Sequence, residues 1–288
     1  MLVSSRQGIN ASPDQIALLD ELLTPLIKKS QSVNHIYGTH REALGISKST
    51  YCNLSLFTFR NIDLPRKARY KQRKKRPKAT VDQSYRVGRT YADFKSYMET
   101  NADTAIVEMD VVESVNGGRV FLTFYFRQTK LMLAFLMESQ TQDCVTEVFD
   151  FLENLLGLRV FRKIFSLILT DNGSEFKHAN TLEYSSTGAR RSTLYYCDPM
   201  ASQQKGGIEK NHEFIREYVP KYTSIGFMTQ DLTTLMINHI NSIIRASINE
   251  KTPYDLAELL MPPKALELLG LRRIEPDSVI RNPSIFKH

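Results

Sequence analysis

The sequence is poor in cysteine and has no long hydrophobic run. No apolar stretch in its 288 residues approaches the roughly 18 residues needed to span a bilayer, and the N-terminus shows no basic-then-apolar signal peptide. The three cysteines, Cys52, Cys144 and Cys197, are widely spaced and form no pair at zinc-ligand spacing. We therefore expect a cytoplasmic protein with reduced thiols, no disulfide and no structural zinc.

The positive charge of the chain is concentrated in one segment. The net charge is +7, but residues 66–78 alone hold nine cations and no anion, so the rest of the sequence is slightly acidic. A block of like charges repels itself, stays extended and commonly binds nucleic acid, although a solvated linker is the alternative. We interpret the segment as a strap along a phosphate backbone. Its cations are Arg66, Lys67, Arg69, Lys71, Arg73, Lys74, Lys75, Arg76 and Lys78.

Residues 12–59 are predicted to form a small helical unit. An apolar stripe follows Pro13, and a second helix is expected after Ser32. Residues 43–51 are typical of a helix-turn-helix, because Gly45 permits a tight turn and Ser47 can cap the next helix. A plain αα-hairpin is the alternative. The first turn of that next helix would present side chains to base edges or phosphates, namely Lys48, Ser49, Thr50 and Tyr51.

The middle of the chain changes to strand-like periodicity. Strands are predicted at 105–112, 119–127, 130–138, 164–170 and 192–196, with a hairpin signal at 116–118. Helices are predicted at 91–99, 141–156, from about Lys205, at 230–244 and near 253–260, whereas 271–288 give little signal. This order is that of an α/β RNase H-like core, a mixed five-stranded sheet with flanking helices, preceded here by the small all-α helix-turn-helix unit.

Three carboxylates fall where this order brings strands and a helix together. Asp110 and Asp171 each close an apolar run, and Glu209 follows a glycine pair. In-line cleavage of a phosphodiester needs an activated attacking oxygen and a stabilised leaving oxygen, which two divalent ions held by carboxylates provide. On a helix, Glu209 would share one face with cationic and polar side chains that contact substrate or orient the ligand, namely Lys205, His212, Glu213 and Arg216.

Each carboxylate also has a simpler interpretation. Asp171 precedes Asn172 and Gly173 and can be a turn former, with Asn172 as turn structure or as a support for the ligands. Glu209 beside a lysine can be a solvated ion pair. A buried Asp110 is costly without a partner, which favours function. The rival carboxylates are Glu108, Glu175 and Glu213.

These motifs resemble the DDE transposases and retroviral-type integrases, and in particular the bacterial insertion-sequence transposases of the IS-thirty family. The resemblance rests on residues 108–110, 169–176 and 204–213 together with the helix-turn-helix. It implies Asp110, Asp171 and Glu209 as the catalytic, metal-binding triad, with two Mg²⁺ ions that Mn²⁺ can replace. It further implies double-stranded element ends and target DNA as substrates, at least a dimer on DNA, and a location at the bacterial nucleoid.

The resemblance leaves alternatives open. Such transposases usually carry a further N-terminal DNA-binding region, whereas this sequence begins almost at the second helix-turn-helix, as a truncated copy, a fragment or an internally initiated product would. A catalytically silent DNA-binding repressor and a nuclease without strand transfer are the rival functions. Gln204 and Gly207 stand where bulkier or more basic residues are expected. The expected divisions are 1–62, the helix-turn-helix unit; 63–100, the basic linker; 101–226, the catalytic core; and 227–288, a helical extension.

Overall fold

The computed structural model describes residues 13–45, 47, 84–114 and 118–287. A five-stranded sheet in the order β3-β2-β1-β4-β5 lies at its centre. The strands are β1 Ile106–Glu113, β2 Val120–Phe126, β3 Met132–Met137, β4 Leu167–Thr170 and β5 Thr193–Tyr196. The first three form an antiparallel meander, and β4 and β5 are added parallel to β1. The predicted mixed sheet of the RNase H-like core is thereby confirmed.

Helices cover both faces of the sheet. On one face, α3 (Tyr91–Thr100) begins with a capping box between Thr90 and Asp93 and packs its buried Phe94 with Leu167 and Leu169. On the other face, α4 (Gln142–Leu156) and α5 (Leu158–Ile164) pack their apolar sides against the main core. Because alternate strand residues point to opposite faces, both sides of β4 are buried.

The predicted strand at 164–170 is wrong in its first half. Residues Leu158–Ile164 form helix α5, and β4 begins only at Leu167. Phe161 and Ile164 are buried at a spacing of three, which is a helical spacing. Gly157 adopts a positive φ of 73° and separates α4 from α5, so the chain turns before a new helix starts. A short apolar run does not by itself distinguish a strand from a buried helix.

Later helices complete the core and cover the sheet edge. α6 is Ala179–Glu183, α7 is Gly206–Tyr218, α8 is Gln230–Asn241, α9 is Pro253–Leu260 and α10 is Ala265–Leu268. Helix α8 ends three residues before its predicted limit, and its last residue binds the edge strand. The Asn241 side chain accepts from Met132 N at 2.9 Å and donates to Met132 O at 2.8 Å. These bonds use backbone groups of β3, which lies at the edge of the sheet.

The N-terminal helices dock on the C-terminal segment. Helices α1 (Pro13–Lys28) and α2 (Val33–Leu44) share a small core that includes Leu23 and Ile36. The Gln31 side chain donates to the carbonyls of Pro276 and Val279 at 2.9 Å. Residues 271–287, which carry little sequence signal, therefore join the first helices to the rest of the fold.

Several predicted features lie outside the described residues. These are residues 116 and 117 of the hairpin signal at 116–118, the recognition positions 48–51, the basic segment 66–78 and Cys52. Cys144 and Cys197 are free thiols. None of the helices in the described part of the chain is both long enough and apolar enough to cross a membrane.

Candidate active site

Asp110 and Asp171 lie on neighbouring parallel strands. Asp110 is in β1, and Asp171 directly follows the last residue of β4. The register pairs Glu108 with Leu169, and each aspartate is two residues beyond that pair on its own strand. The two carboxylates therefore lie on adjacent strands, at the carboxyl end of β4. Ligand sites of α/β sheets are commonly found at the carboxyl ends of parallel strands.

One ammonium group joins the two carboxylates. Lys205 Nζ lies 2.9 Å from Asp110 Oδ2 and 2.8 Å from Asp171 Oδ2. The lysine is the last residue of a 3₁₀ turn, Ser202–Lys205, and only 4% of its surface is exposed. The remaining oxygens bind backbone groups: Asp110 Oδ1 accepts from Val111 N at 2.9 Å, and Asp171 Oδ1 accepts from Gly173 N at 3.0 Å. Both aspartates thus direct one oxygen at a single cation.

The electrostatics of this cluster follow from burial. Burial raises the pKa of the Asp110 carboxyl to about 6; the Lys205 charge opposes this shift, and the Asp171 charge adds to it. Burial lowers the pKa of the Lys205 ammonium, but the combined attraction of both carboxylates outweighs it, and that pKa is raised. Lys205 is consequently charged at neutral pH and balances the carboxylates.

The third predicted carboxylate, Glu209, is exposed in the first turn of α7, four residues after Lys205. Within the residues that the structure describes, no three or more His, Cys, Asp and Glu side chains are grouped so as to hold a metal ion. The donor chemistry of the first two carboxylates nevertheless fits a hard cation. Mg²⁺ is commonly held by one or two carboxylates, with water and substrate phosphate as its other ligands. Asp110 and Asp171 are the side chains that would hold it.

Glu108 fixes the helix that carries Glu209. It is 2% exposed; its Oε1 accepts from Arg127 Nε and its Oε2 from Ile208 N, both at 2.6 Å. Arg127 also donates to Gln204 O at 2.7 Å. The backbone on both sides of Lys205 is therefore tied to β1 and β2. From the sequence, Glu108 is a rival carboxylate that is expected on the same strand face as Asp110, because it lies two residues before it.

Gly207 permits this close contact between helix and sheet. A Cβ atom at this position would lie 2.3 Å from Tyr125 Cε1 and 3.0 Å from Glu108 Oε2. A bulkier or more basic residue is expected here from the sequence, but Tyr125 of β2 leaves no space for one. Gln204 also has a structural role, since its side chain accepts from Asp198 N at 2.7 Å and donates to Asp198 Oδ2 at 2.8 Å.

His212 faces Asp110 from the next turn of α7. Its Nδ1 lies 3.9 Å from Asp110 Oδ2, and its Nε2 lies 2.9 Å from Thr123 Oγ1. Thr123 in turn donates to the Asp110 carbonyl oxygen at 2.8 Å. Burial, with the nearby charges of Lys205 and Arg216, lowers the pKa of His212 to about 3. The imidazole is therefore neutral at physiological pH and forms one wall of the Asp110 environment.

The other predicted site residues lie around this cluster. Asn172 donates to Cys197 O at 2.8 Å and accepts from the Tyr85 hydroxyl at 3.1 Å, which holds the loop after β4 against β5. Glu175 is buried and accepts from Gln140 at 2.6 Å. Glu213 is exposed on α7. The predicted DNA contacts at 48–51 and 66–78 lie outside the described residues.

Comparison with known proteins gives partial matches. The transposase InsI of insertion sequence element IS30A from Escherichia coli (strain K12) is 35% identical over 89 residues, 31% of this chain and 22% of that protein. The transposase of element IS1086 from Cupriavidus metallidurans is 30% identical over 94 residues, 32% of this chain and 26% of that protein. The putative integrase ORF3 of Spiroplasma virus SpV1-R8A2 B is 27% identical over 163 residues, 54% of this chain and 48% of that protein.

The chain thus spans less than half the length of each of these relatives. No protein-family model matches it. Among solved structures it is similar to the HTLV-2 integrase catalytic core domain in complex with magnesium, in its trimeric form, at a TM-score of 0.38 and 14% identity over 53% of this chain and 95% of that chain. The sequence relatives support the broad resemblance to transposases and integrases, whereas membership of the IS-thirty family stays a prediction.

Proposed function

We propose that the protein is a metal-dependent DNA strand transferase of the DDE type that acts at the ends of an insertion sequence. The observation that carries this proposal is the convergence of Asp110 and Asp171, from adjacent parallel strands, on one cation. The resemblance to transposases and integrases, IS-thirty members included, points to the same chemistry.

The reaction we propose has two steps at one site. Water first attacks the phosphodiester at the element end, and the bond to the 3′ oxygen breaks, which leaves a free 3′-hydroxyl. That hydroxyl then attacks a phosphodiester of target DNA, forms the new P–O3′ bond and releases the target's own 3′ oxygen. Two divalent ions, when bound, would activate the attacking oxygen and stabilise the leaving oxygen.

Different side chains would take different roles in this reaction. Asp110 and Asp171 would hold the hard cations, with Glu209 as the third carboxylate from the first turn of α7. Glu108 and Arg127 hold the start of α7 against the sheet, and this helix carries Glu209 in its first turn. His212 and Thr123 enclose the buried side of Asp110 and keep its carbonyl hydrogen-bonded.

The substrate is double-stranded DNA of the element ends and of the target, and the protein acts on it as at least a dimer because transposition joins two ends. The segment at 66–78 would follow phosphates, while residues 48–51 would read bases. Mg²⁺ is the proposed cofactor, and Mn²⁺ is expected to replace it.

Incubation of the full chain with labelled element ends, target DNA and Mg²⁺ tests this function. Joined products support strand transfer. Cut products without joining would instead indicate a nuclease of the same fold. A mobility shift without cleavage would indicate a silent DNA-binding repressor, a reading consistent with the exposed position of Glu209 outside the carboxylate pair.

A further inference from the structure

The Lys205 ammonium occupies the position where the two aspartates converge. Its distances of 2.8 and 2.9 Å to the carboxylate oxygens are those of strong charge-assisted hydrogen bonds. A lysine that is 4% exposed is found almost only where it is paired, and these two carboxylates are its partners. The ammonium supplies the positive charge that this pair of acids requires.

The backbone around Lys205 is anchored, while its side chain ends in the cluster. The carbonyl of Gln204 accepts from Arg127, and the N–H of Ile208 donates to Glu108. These bonds hold the peptide before the lysine and the helix turn after it. Exchange of the ammonium for a metal ion would therefore move the Lys205 side chain and leave α7 in place.

We propose that Lys205 is a tethered cation that competes with divalent metal for Asp110 and Asp171. This inference rests on the proposed function, because it takes the two aspartates as the metal ligands. Asp110 is largely buried, whereas the Asp171 side chain is 41% exposed. Removal of the partner of a buried charge leaves that charge uncompensated, so Asp110 in particular needs either the ammonium or a metal ion. Metal binding then displaces the ammonium. Because the two equilibria are coupled, the ammonium weakens metal binding by the same factor by which the metal weakens the contact between the ammonium and the carboxylates.

Calorimetric titration of the full chain with Mn²⁺ tests the competition. Lys205→Gln should bind Mn²⁺ more tightly than the wild type, by about tenfold or more, within the range usual for coupled binding equilibria. Lys210→Gln is the matched control, since it removes an exposed cation from α7, the helix that begins directly after Lys205. Its affinity for Mn²⁺ should stay close to that of the wild type.

Amine labelling of the wild type gives a second measurement that needs no variant. Reductive methylation read by mass spectrometry should be slow at Lys205 without metal and should increase when Mn²⁺ is added. Labelling of the exposed Lys210 should not change. If Lys205→Gln does not fold, this result decides the question alone.

Equal Mn²⁺ affinity in the wild type and in Lys205→Gln, with Lys205 still protected from methylation, would overturn the competition and leave the metal centre intact. Failure of the proposed function has another pattern: Mn²⁺ binds to neither protein, or binds as well to Asp171→Asn as to the wild type. The two failures are therefore distinguishable in the same set of titrations.

Discussion

At the residue scale, the buried carboxylate of Glu108 holds two elements together. It pairs with Arg127 and accepts from the backbone of α7, and it is 2% exposed. Glu108→Gln keeps an acceptor but loses the charge, and we expect it to lower the free energy of unfolding by about 1–3 kcal/mol. Denaturant titration measures this change.

A surface ion pair provides the control for this prediction. Glu138 pairs with Arg119 at 2.8 Å, but its side chain is 73% exposed. Glu138→Gln should change the free energy of unfolding by less than about 1 kcal/mol, because solvent screens exposed pairs. Equal effects of the two substitutions would show that burial of Glu108 does not matter to the fold.

Gly207 and Gly206 form a second matched pair. A Cβ at Gly207 meets Tyr125 at 2.3 Å, whereas a Cβ at Gly206 meets no atom within 4 Å. We expect Gly207→Ala to destabilise the protein by about 1–3 kcal/mol through overpacking. Gly206→Ala should be neutral or stabilise it by up to about 1 kcal/mol. Thermal or chemical unfolding of both variants decides this, and a stable Gly207→Ala protein would contradict the close helix-to-sheet contact.

At the scale of elements, sequence periodicity predicted most of the sheet and its helices. Helix α4 carries a 3.6-residue apolar pattern. The strands are short apolar runs bounded by turn signals, and β2 and β4 are buried at every position. Helix α5 was missed because a short apolar run fits strand and buried helix equally. The requirement for glycine at position 207 arises from β2, which is distant in sequence, so no local pattern contains it. The convergence of Asp110 and Asp171 was accessible from the order of elements, but the position of Lys205 between them was not.

The packing of the C-terminal segment, residues 271–287, could not be predicted from periodicity either, because its contacts are with residues distant in sequence. Ile280 N donates to His239 Nδ1 at 3.1 Å, and His35 Nε2 lies 3.1 Å from the carbonyl oxygen of Pro276. Arg281 forms an ion pair with Glu217 at 2.8 Å. Individual polar residues with specific partners, rather than a periodic stripe, attach this segment, and a periodicity search does not detect them.

These histidines give the fold a pH dependence with a defined sign. Burial lowers the pKa of His239 to about 4, so below the unfolded-state value of about 6.5 the unfolded chain binds more protons than the folded one. Stability should therefore fall as the pH decreases, by about 2 kcal/mol for this residue between about pH 7 and about pH 5.

Unfolding titrations of the wild type and His239→Gln at several pH values isolate this contribution. The raised pKa of Asp110, about 6, acts with the opposite sign in the same window, and it is common to both proteins. The variant should lose less stability on acidification than the wild type. Parallel curves for the two proteins would contradict the assignment.

At the scale of the whole molecule, substitutions in the two proposed DNA-binding segments should change DNA binding in different ways. Neutralising four of the nine cations in residues 66–78 should weaken binding to every duplex. Each lost phosphate contact reduces the slope of log affinity against log salt by about 0.9. Replacement of Ser49 and Thr50 by alanine should leave that slope unchanged and reduce the preference for element ends, by about 1–3 kcal/mol for each base contact.

Filter binding across salt concentrations, with specific and scrambled duplexes, measures both quantities. If residues 66–78 are a passive linker and residues 43–51 a plain αα-hairpin, neither the salt slope nor the preference for element ends should change. An unchanged slope after charge removal would exclude the strap, and an unchanged preference would exclude the recognition helix.

We propose that Asp110, Asp171 and Glu209 form one metal-dependent catalytic centre that acts on DNA. The most direct measurement compares cleavage of labelled element ends in Mg²⁺ by the wild type, Asp171→Asn and Glu209→Gln, with DNA affinity measured on the same samples. We predict that both substitutions abolish cleavage and leave DNA affinity nearly unchanged, because each removes a charge while keeping the shape of the side chain. Cleavage at the wild-type rate by either variant would contradict the account.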